Sequence, residues 1–240
     1  MIENNFYFDP DLRKEIKKNM RVAVIPVGST EQHGPHLPVS TDSDIVTEIA
    51  KIIAERNKFL LLPTITCGVS YEHAPFFNLS IKETTLRAIL SDLCESLLSS
   101  GIKTVFVING HHGNQKAIKR LDKKIIQKSK KQLRVFTLSY WHFMKREFDH
   151  AGFVETSLML AISKNVKMNL AKKGLITEGM TEDKIARLKQ LASKSFPKAT
   201  KNGIWGDPTR ASKIEGRRLL NEITKNVSEW CQTCLTGRRL

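Results

Sequence analysis

Val22 to Val27 is a short apolar run closed by Gly28. Such a run, bounded by a turn residue, predicts a buried strand. A loop rich in Gly, Pro and His follows, and then Ile45, Ile49, Ile52 and Ile53 recur at helical spacing. Phe59 to Ile65 reads as a second strand. Leu86, Ile89, Leu90, Leu93 and Leu97 form the apolar stripe of a second helix that stops near Gly101. Val105 to Ile108 is a third strand, interrupted by Asn109-Gly110. Asn114 is placed to cap a third helix carrying Ala117, Ile118, Leu121, Ile125 and Ile126. Leu133 to Leu138 is a fourth strand.

Strands alternating with helices predict an α/β fold of three layers, a mainly parallel sheet flanked by helices. Beyond about residue 165 the pattern changes to exposed, Lys-rich helices, and residues 211–230 make a last helix through Ile214, Leu219, Leu220, Ile223 and Val227. A length of 240 residues suits one domain, and no linker divides it, so residues 1–240 are read as a single domain. No stretch approaches the roughly 20 apolar residues of a membrane helix. The N-terminal segment carries Asp9, Asp11 and Glu15 rather than the apolar run of a secretion signal, which points to a cytoplasmic protein without a membrane partner.

Charge and cysteines change this picture little. An excess of 39 Lys and Arg over 24 Asp and Glu leaves +15, which would suit nucleic acid or a phosphorylated substrate. The lysines are dispersed over helix faces, however, and no basic run is interleaved with base-stacking aromatic residues, so nucleic acid is disfavoured. Cys231 and Cys234 form a C-x-x-C pair without the second ligand pair that a zinc site needs.

The polar residues of interest cluster after strands. Glu31, His33, His36 and Asp42 lie in the loop after the first strand, His111 and His112 after the third, and His150 and Glu155 after the fourth. Ligands of an open parallel sheet bind outside the carboxyl ends of its strands. Three loops thus bring carboxylates and imidazoles to one edge. Read singly, Asp42 in Ser-Thr-Asp-Ser could be a plain helix cap, and His73 or His142 a satisfied polar residue. Read together, Glu31, His33, Asp42, His111 and Glu155 are a ligand set. Mixed imidazole and carboxylate donors favour zinc, manganese or ferrous iron. Five candidates exceed the three protein ligands of one catalytic zinc, and a bridging carboxylate would let them serve two divalent ions.

Gly28-Ser29-Thr30-Glu31-Gln32-His33-Gly34-Pro35-His36-Leu37-Pro38 with Thr41-Asp42 resembles the signature of the creatininase family of metal-dependent amidohydrolases. Asn109-Gly110-His111-x-Gly113-Asn114 and His150-Ala151-Gly152-x-x-Glu155-Thr156-Ser157 are similar to its second and third motifs, with a weaker echo at Trp205-Gly206-Asp207-Pro208. The resemblance implies a creatininase-like fold, commonly assembled as a homo-oligomer. It implies that Glu31 and His111 hold one metal and His33 the other, with Asp42 as the bridge. Creatinine-cleaving members carry a further glutamate ligand two residues after the histidine of the second motif. Gly113 stands there in this chain, and Glu155 is the carboxylate left to complete the second metal.

The implied activity is cleavage of a non-peptide amide C–N bond in a small molecule by metal-activated hydroxide. His150 is the candidate acid/base, with a role in orienting Glu155 as its alternative. His36 and His112 are read as supporting residues rather than ligands. Family members open creatinine, remove a formyl group from a formylaminopyrimidine ribosyl phosphate in riboflavin and deazaflavin biosynthesis, or trim a peptide precursor. Gly113 and the positive charge favour the deformylase, with creatinine amidohydrolase as the alternative. A basic nucleic-acid-binding protein is the reading from another class.

Overall fold

The computed structural model describes residues 8–237. Its sheet has four parallel strands, β1 Val22–Val27, β2 Leu60–Leu61, β3 Thr104–Asn109 and β4 Arg134–Ser139, in the order β2-β1-β3-β4. β1 and β3 pair along their whole length, from Val22 opposite Thr104 to Val27 opposite Asn109, and β3 pairs with β4 from Thr104–Arg134 to Asn109–Ser139. The carboxyl ends of these three strands are therefore level, so the loops leaving them start side by side.

Alternate strand residues face opposite layers. Val24, Phe106, Ile108 and Leu138 pack on α2 (Thr41–Asn57), α6 (Phe153–Ile162) and α9 (Lys213–Thr236). Ala23, Ile25, Val27, Val105 and Val107 pack on the other side against α1 (Asp9–Lys18), α3 (Glu83–Ser99), α4 (Gln115–Ile118) and α5 (Leu121–Lys128). This is the three-layer α/β arrangement expected from the alternation of strands and helices. Exposed positions dominate α7 (Glu182–Ala192), where Ala192 alone is buried, and α8 (Phe196–Thr200) follows it.

Two expectations need correction. The second strand does not run from Phe59 to Ile65: regular pairing stops at Leu61, and Ile65 returns as an isolated bridge to Val27. Pro63 lies in the gap, and a proline has no N–H to give to a ladder. Nor does Asn114 cap one long helix. Its Oδ1 accepts from the backbone of Val69 (2.9 Å), and its Nδ2 donates to the Gly28 carbonyl (3.0 Å) and Asn109 Oδ1 (3.2 Å). The helix after it is two pieces, α4 and α5, separated by Arg120 in the left-handed region (φ 61°). Asn114 instead ties three loops together.

α6 is buried on nearly every side, between α2 and α9. Gly216 of α9 permits the close approach, because a Cβ there would collide with the Ser157 carbonyl oxygen of α6. Gly216→Ala sets two effects of opposite sign against each other. Alanine favours a helix over glycine by about 1 kcal/mol, whereas overpacking against a rigid backbone costs about 1–3 kcal/mol. We expect the clash to win and the urea midpoint followed by circular dichroism to fall; a higher midpoint would show that the helices separate freely.

Candidate metal centre

The level strand ends place three loops around one buried cluster. The loop after β1 supplies Glu31 and His33, then runs into α2, whose first turn carries Asp42. The turn after β3 supplies His111, and the segment after β4 supplies His150 and, on the first turn of α6, Glu155. Glu31, His33 and Glu155 are fully buried, with Asp42 2% and His111 3% exposed. Asp42 forms no cap: its side chain turns to the two histidines, and Ser40 precedes the helix without a capping bond from its own side chain.

The carboxylate of Asp42 faces both ways. Oδ1 lies 3.2 Å from Nε2 of His33, and Oδ2 lies 2.9 Å from Nδ1 of His111. Around it the donor atoms fall into two groups that could each hold a cation, Glu31–Asp42–His111 and His33–Asp42–Glu155. The family resemblance divides the same five residues between two metals. Glu31 Oε2 is 3.2 Å from His111 Nε2, and Glu155 Oε2 is 3.5 Å from His33 Nε2. A third grouping, Glu31–His33–His150, brings His150 to the rim of the same cluster.

The histidines are aimed from behind. His33 donates Nδ1–H to the carbonyl of Glu31 (3.1 Å), which leaves Nε2 to face Asp42 and Glu155. His111 donates Nε2–H to the carbonyl of Val69 (2.9 Å), which leaves Nδ1 to face Asp42. A partner on the outer nitrogen fixes the tautomer a metal needs. Gly113 serves this contact. A Cβ there would collide with the Val69 carbonyl oxygen and stand 2.6 Å from His111 Nε2. The glycine is thus required for close approach, rather than for the reversal of the chain, and a glutamate does not fit on this backbone.

A cation suits this cluster. Glu31 Oε1, Asp42 Oδ2 and Glu155 Oε1 are buried without any hydrogen-bond partner, although Asp42 Oδ2 has His111 at 2.9 Å and Glu31 Oε1 has His73 Nε2 at 3.0 Å. Those contacts are short yet misaligned, as for lone pairs converging on a common centre. Burial disfavours protonated imidazoles, but Asp42 and Glu155 outweigh it at His33, and Glu31 and Asp42 at His111, pushing both up to about 10. Burial also pushes Glu155 up to about 8, against the pull of His33. Without a metal, protons would fill the place of the cations.

Several supporting residues escaped the sequence. His73 joins the cluster from a 3₁₀ turn, Tyr71–His73, in the segment that returns over the first loop. Gln32 donates Nε2–H to His73 Nδ1 (2.9 Å) and to the Gly203 carbonyl (3.2 Å). Asp149 accepts from the backbone N–H of Val154 (2.9 Å) and Glu155 (3.4 Å), which holds the start of α6. The Trp205 motif pairs its backbone with that of His150 in both directions (2.8 and 3.0 Å). His36 meets Thr156 Oγ1 at 2.9 Å, and the exposed His112 stacks on Trp141 at 6.2 Å; neither enters a ligand group. Cys231 is packed in the core of α9 with its thiol pushed up by burial, so that pair has a packing role.

A family model described as creatinine amidohydrolase matches residues 9–231. The chain belongs to the creatininase family. It is 32% identical to a mycofactocin precursor peptide peptidase of Mycobacterium ulcerans over 86% of this chain and 84% of that one. It is 29% identical to creatinine amidohydrolase of Pseudomonas putida, over 59% of this chain and 64% of that one. It is 27% identical to a 2-amino-5-formylamino-6-ribosylaminopyrimidin-4(3H)-one 5'-monophosphate deformylase of Methanothermobacter marburgensis, over 86% and 87%. A crystal structure of creatininase superposes with a TM-score of 0.81 at 21% identity, covering 98% of both chains. Related creatininase structures are described as Zn–Zn and Mn forms. This creatininase-family chain is a metal-dependent amidohydrolase with two divalent-metal sites, suited to zinc, manganese or ferrous iron. Among the described residues no helix is long and apolar enough to cross a membrane.

Two outcomes follow from the aimed histidines. Gly113→Ala should push the Val69 carbonyl off His111 and weaken metal affinity by about 10–100-fold, the usual loss when an outer partner goes; unchanged affinity in a competition titration with a chelator would refute that role. Metal binding must also displace protons from His33 and His111. Affinity should therefore rise with pH from 6.5 to 8.5, with protons released into the buffer. Isothermal titration in buffers of different ionisation heat checks this, and affinity independent of pH would contradict it.

Proposed function

We propose that this chain hydrolyses the C–N bond of a small non-peptide amide, with Asp42 between the metals, Glu31 and His111 on one, His33 and Glu155 on the other, and His150 moving the proton. The observation that carries this reading is the two-faced carboxylate of Asp42, which divides one buried cluster into two ligand groups. Residues 1–240 are taken as one amidohydrolase domain, supported by a family match that spans 9–231. Self-association belongs to the same proposal, supported by the exposed apolar side chains of Tyr71, Phe77 and Leu79.

Bound in these groups, two cations would polarise an amide carbonyl and acidify a water to near neutrality. The chain itself handles the proton. His150 is pushed well below the ordinary histidine range, first by burial and then by the charge of His33 and His73, so it is neutral. His150 Nε2 lies 3.1 Å from both the Gln32 backbone carbonyl and Gln32 Nε2; we assign Nε2–H as donor to that carbonyl, with the amide hydrogens of Gln32 going to His73 Nδ1 and the Gly203 carbonyl. The lone pair then sits on Nδ1, 3.9 Å from Glu31 Oε1, on the cluster side. A neutral ring in this tautomer takes a proton from the attacking water and returns it to the leaving nitrogen. Phe196, with its ring 4.6 Å from that of His150, shields this step from water.

Among named substrates, creatinine has better support than the formylaminopyrimidine. The family description over 9–231 and the 29% relative favour it, against 27% for the deformylase. Gly113 and the charge of +15 keep the deformylase as the second reading. The mycobacterial relatives are named for a peptide, which makes peptide cleavage the counter-test. Metal-loaded protein is expected to release creatine from creatinine. Formate from the formylaminopyrimidine alone would shift the assignment to the deformylase, and cleavage of peptides alone would remove it from non-peptide amides. On whichever amide is cleaved, His150→Ala should lower kcat by about 10²–10⁴-fold with both metals retained. Loss of a metal instead would make His150 a ligand, as the third donor grouping allows.

A further inference from the structure

Most of the cluster is sealed. Glu31, His33, Asp42, His73, His111 and Glu155 are all buried. Polar groups beside it that are partly exposed include His150, Gln32, Asp149 behind Glu155, and Glu72, the carboxylate that borders the space next to Gly113. Glu72 stands next to His73 in the 3₁₀ turn packed against α8. Its Oε1 lies 3.0 Å from where a Cβ of Gly113 would be, and that point is 2.6 Å from His111 Nε2. The notch left by the glycine is thus flanked by a carboxylate that comes from a different loop.

Glu72 has no assigned work. It belongs to none of the three groups of donor atoms that could hold a metal. Its carboxylate takes a hydrogen bond from its own backbone N–H and feels the charge of His111 and His73, but neither imidazole stands within ion-pair distance of it. A half-buried carboxylate with unused lone pairs is costly unless something donates to it. Its surroundings already hold three ligand carboxylates, which offset most of the charge of two divalent ions. A fourth negative group at the opening repels an anion and attracts N–H donors or a cation.

We infer that Glu72 is a specificity-determining residue, and that the substrate presents to it a guanidine-type edge, two N–H groups on one carbon. A planar carboxylate meets such an edge with two parallel hydrogen bonds, a match that a compact ammonium or a phosphate does not offer. A 2-aminopyrimidinone presents such an edge with its ring N3–H and 2-amino group, and creatinine presents one in its N3–H imino tautomer, so Glu72 recognises an edge that both candidate substrates can offer. The inference rests on the amidohydrolase reading only for where the substrate sits.

The probe is N-methylguanidinium, with N-methylurea as a neutral control of similar shape, titrated calorimetrically into the metal-loaded protein at pH 8. Wild type should prefer the guanidinium by at least about tenfold, the scale of a charge-assisted pair. Glu72→Gln should abolish the preference while elemental analysis still finds the wild-type metal content. Equal binding of both probes by wild type, or a preference unchanged in Glu72→Gln, would overturn the inference. Metal lost from Glu72→Gln would overturn it too, by making Glu72 a ligand. If no amide is hydrolysed yet the preference exists and vanishes in Glu72→Gln, the proposed function fails and the role of Glu72 stands.

Discussion

Three carboxylates and two imidazoles held out of water at the edge of a parallel sheet are the constraint to which the rest of the chain responds. Charges of one sign in such a place are unstable unless opposite charge joins them. Among the described residues none comes from Lys or Arg: the partners of Glu31, Asp42 and Glu155 are imidazoles, backbone N–H groups and one hydroxyl, Ser29 Oγ at 3.1 Å from Glu31. The deficit is met by divalent ions or, failing them, by protons. A fold that depended on protons here would lose its geometry with pH, whereas one that takes metals gains both rigidity and chemistry.

Rigidity is built from backbone rather than from side-chain bulk. The carbonyls of Glu31 and Val69 set the tautomers of His33 and His111, and the N–H of Ala151 holds Glu155 Oε2 at 2.7 Å. These backbone groups belong to loops, which are ordinarily the mobile part of a domain. Asn114 removes that freedom by linking the 28, 69 and 109 segments, while Asp149 and the Trp205 strand-like pairing immobilise the approach to α6. The glycines at 113 and 216 serve the same end, since both let backbone approach backbone without an intervening side chain.

The sheet, its order of elements and the clustering of the five ligand candidates were legible because each candidate lies between the end of a strand marked by a continuous apolar run and the first turn of the next helix. What was not legible came from elsewhere. His73 and Glu72 sit in a segment without regular periodicity, and they reach the site because Gln32 N–H bonds the Phe77 carbonyl and Leu79 N–H the Thr30 carbonyl. No spacing rule announces that return. Asn114 misled for a related reason: an asparagine before a helix is equally able to cap it or to bind other loops, and tertiary contacts decide. Gly113 stands out in the sequence as a departure from the creatinine-cleaving pattern, but only the Val69 carbonyl beside it explains the glycine.

The net charge illustrates how bulk numbers and a site can point in opposite directions. A charge of +15 suggests an anionic ligand, and at long range it would hasten encounter with one. Yet the field a substrate meets at contact is set by groups within a few ångströms, since mobile ions screen the remainder beyond about 8 Å at physiological ionic strength. Around the cluster stand the carboxylates of Glu31, Asp42, Glu155 and Glu72, with Asp149 behind Glu155, whereas lysines such as Lys123 and Lys124 lie on α5, in the layer on the side of the sheet away from α2 and α6. On the role inferred for Glu72, carboxylates select the group that enters the cluster, and carboxylates select donors.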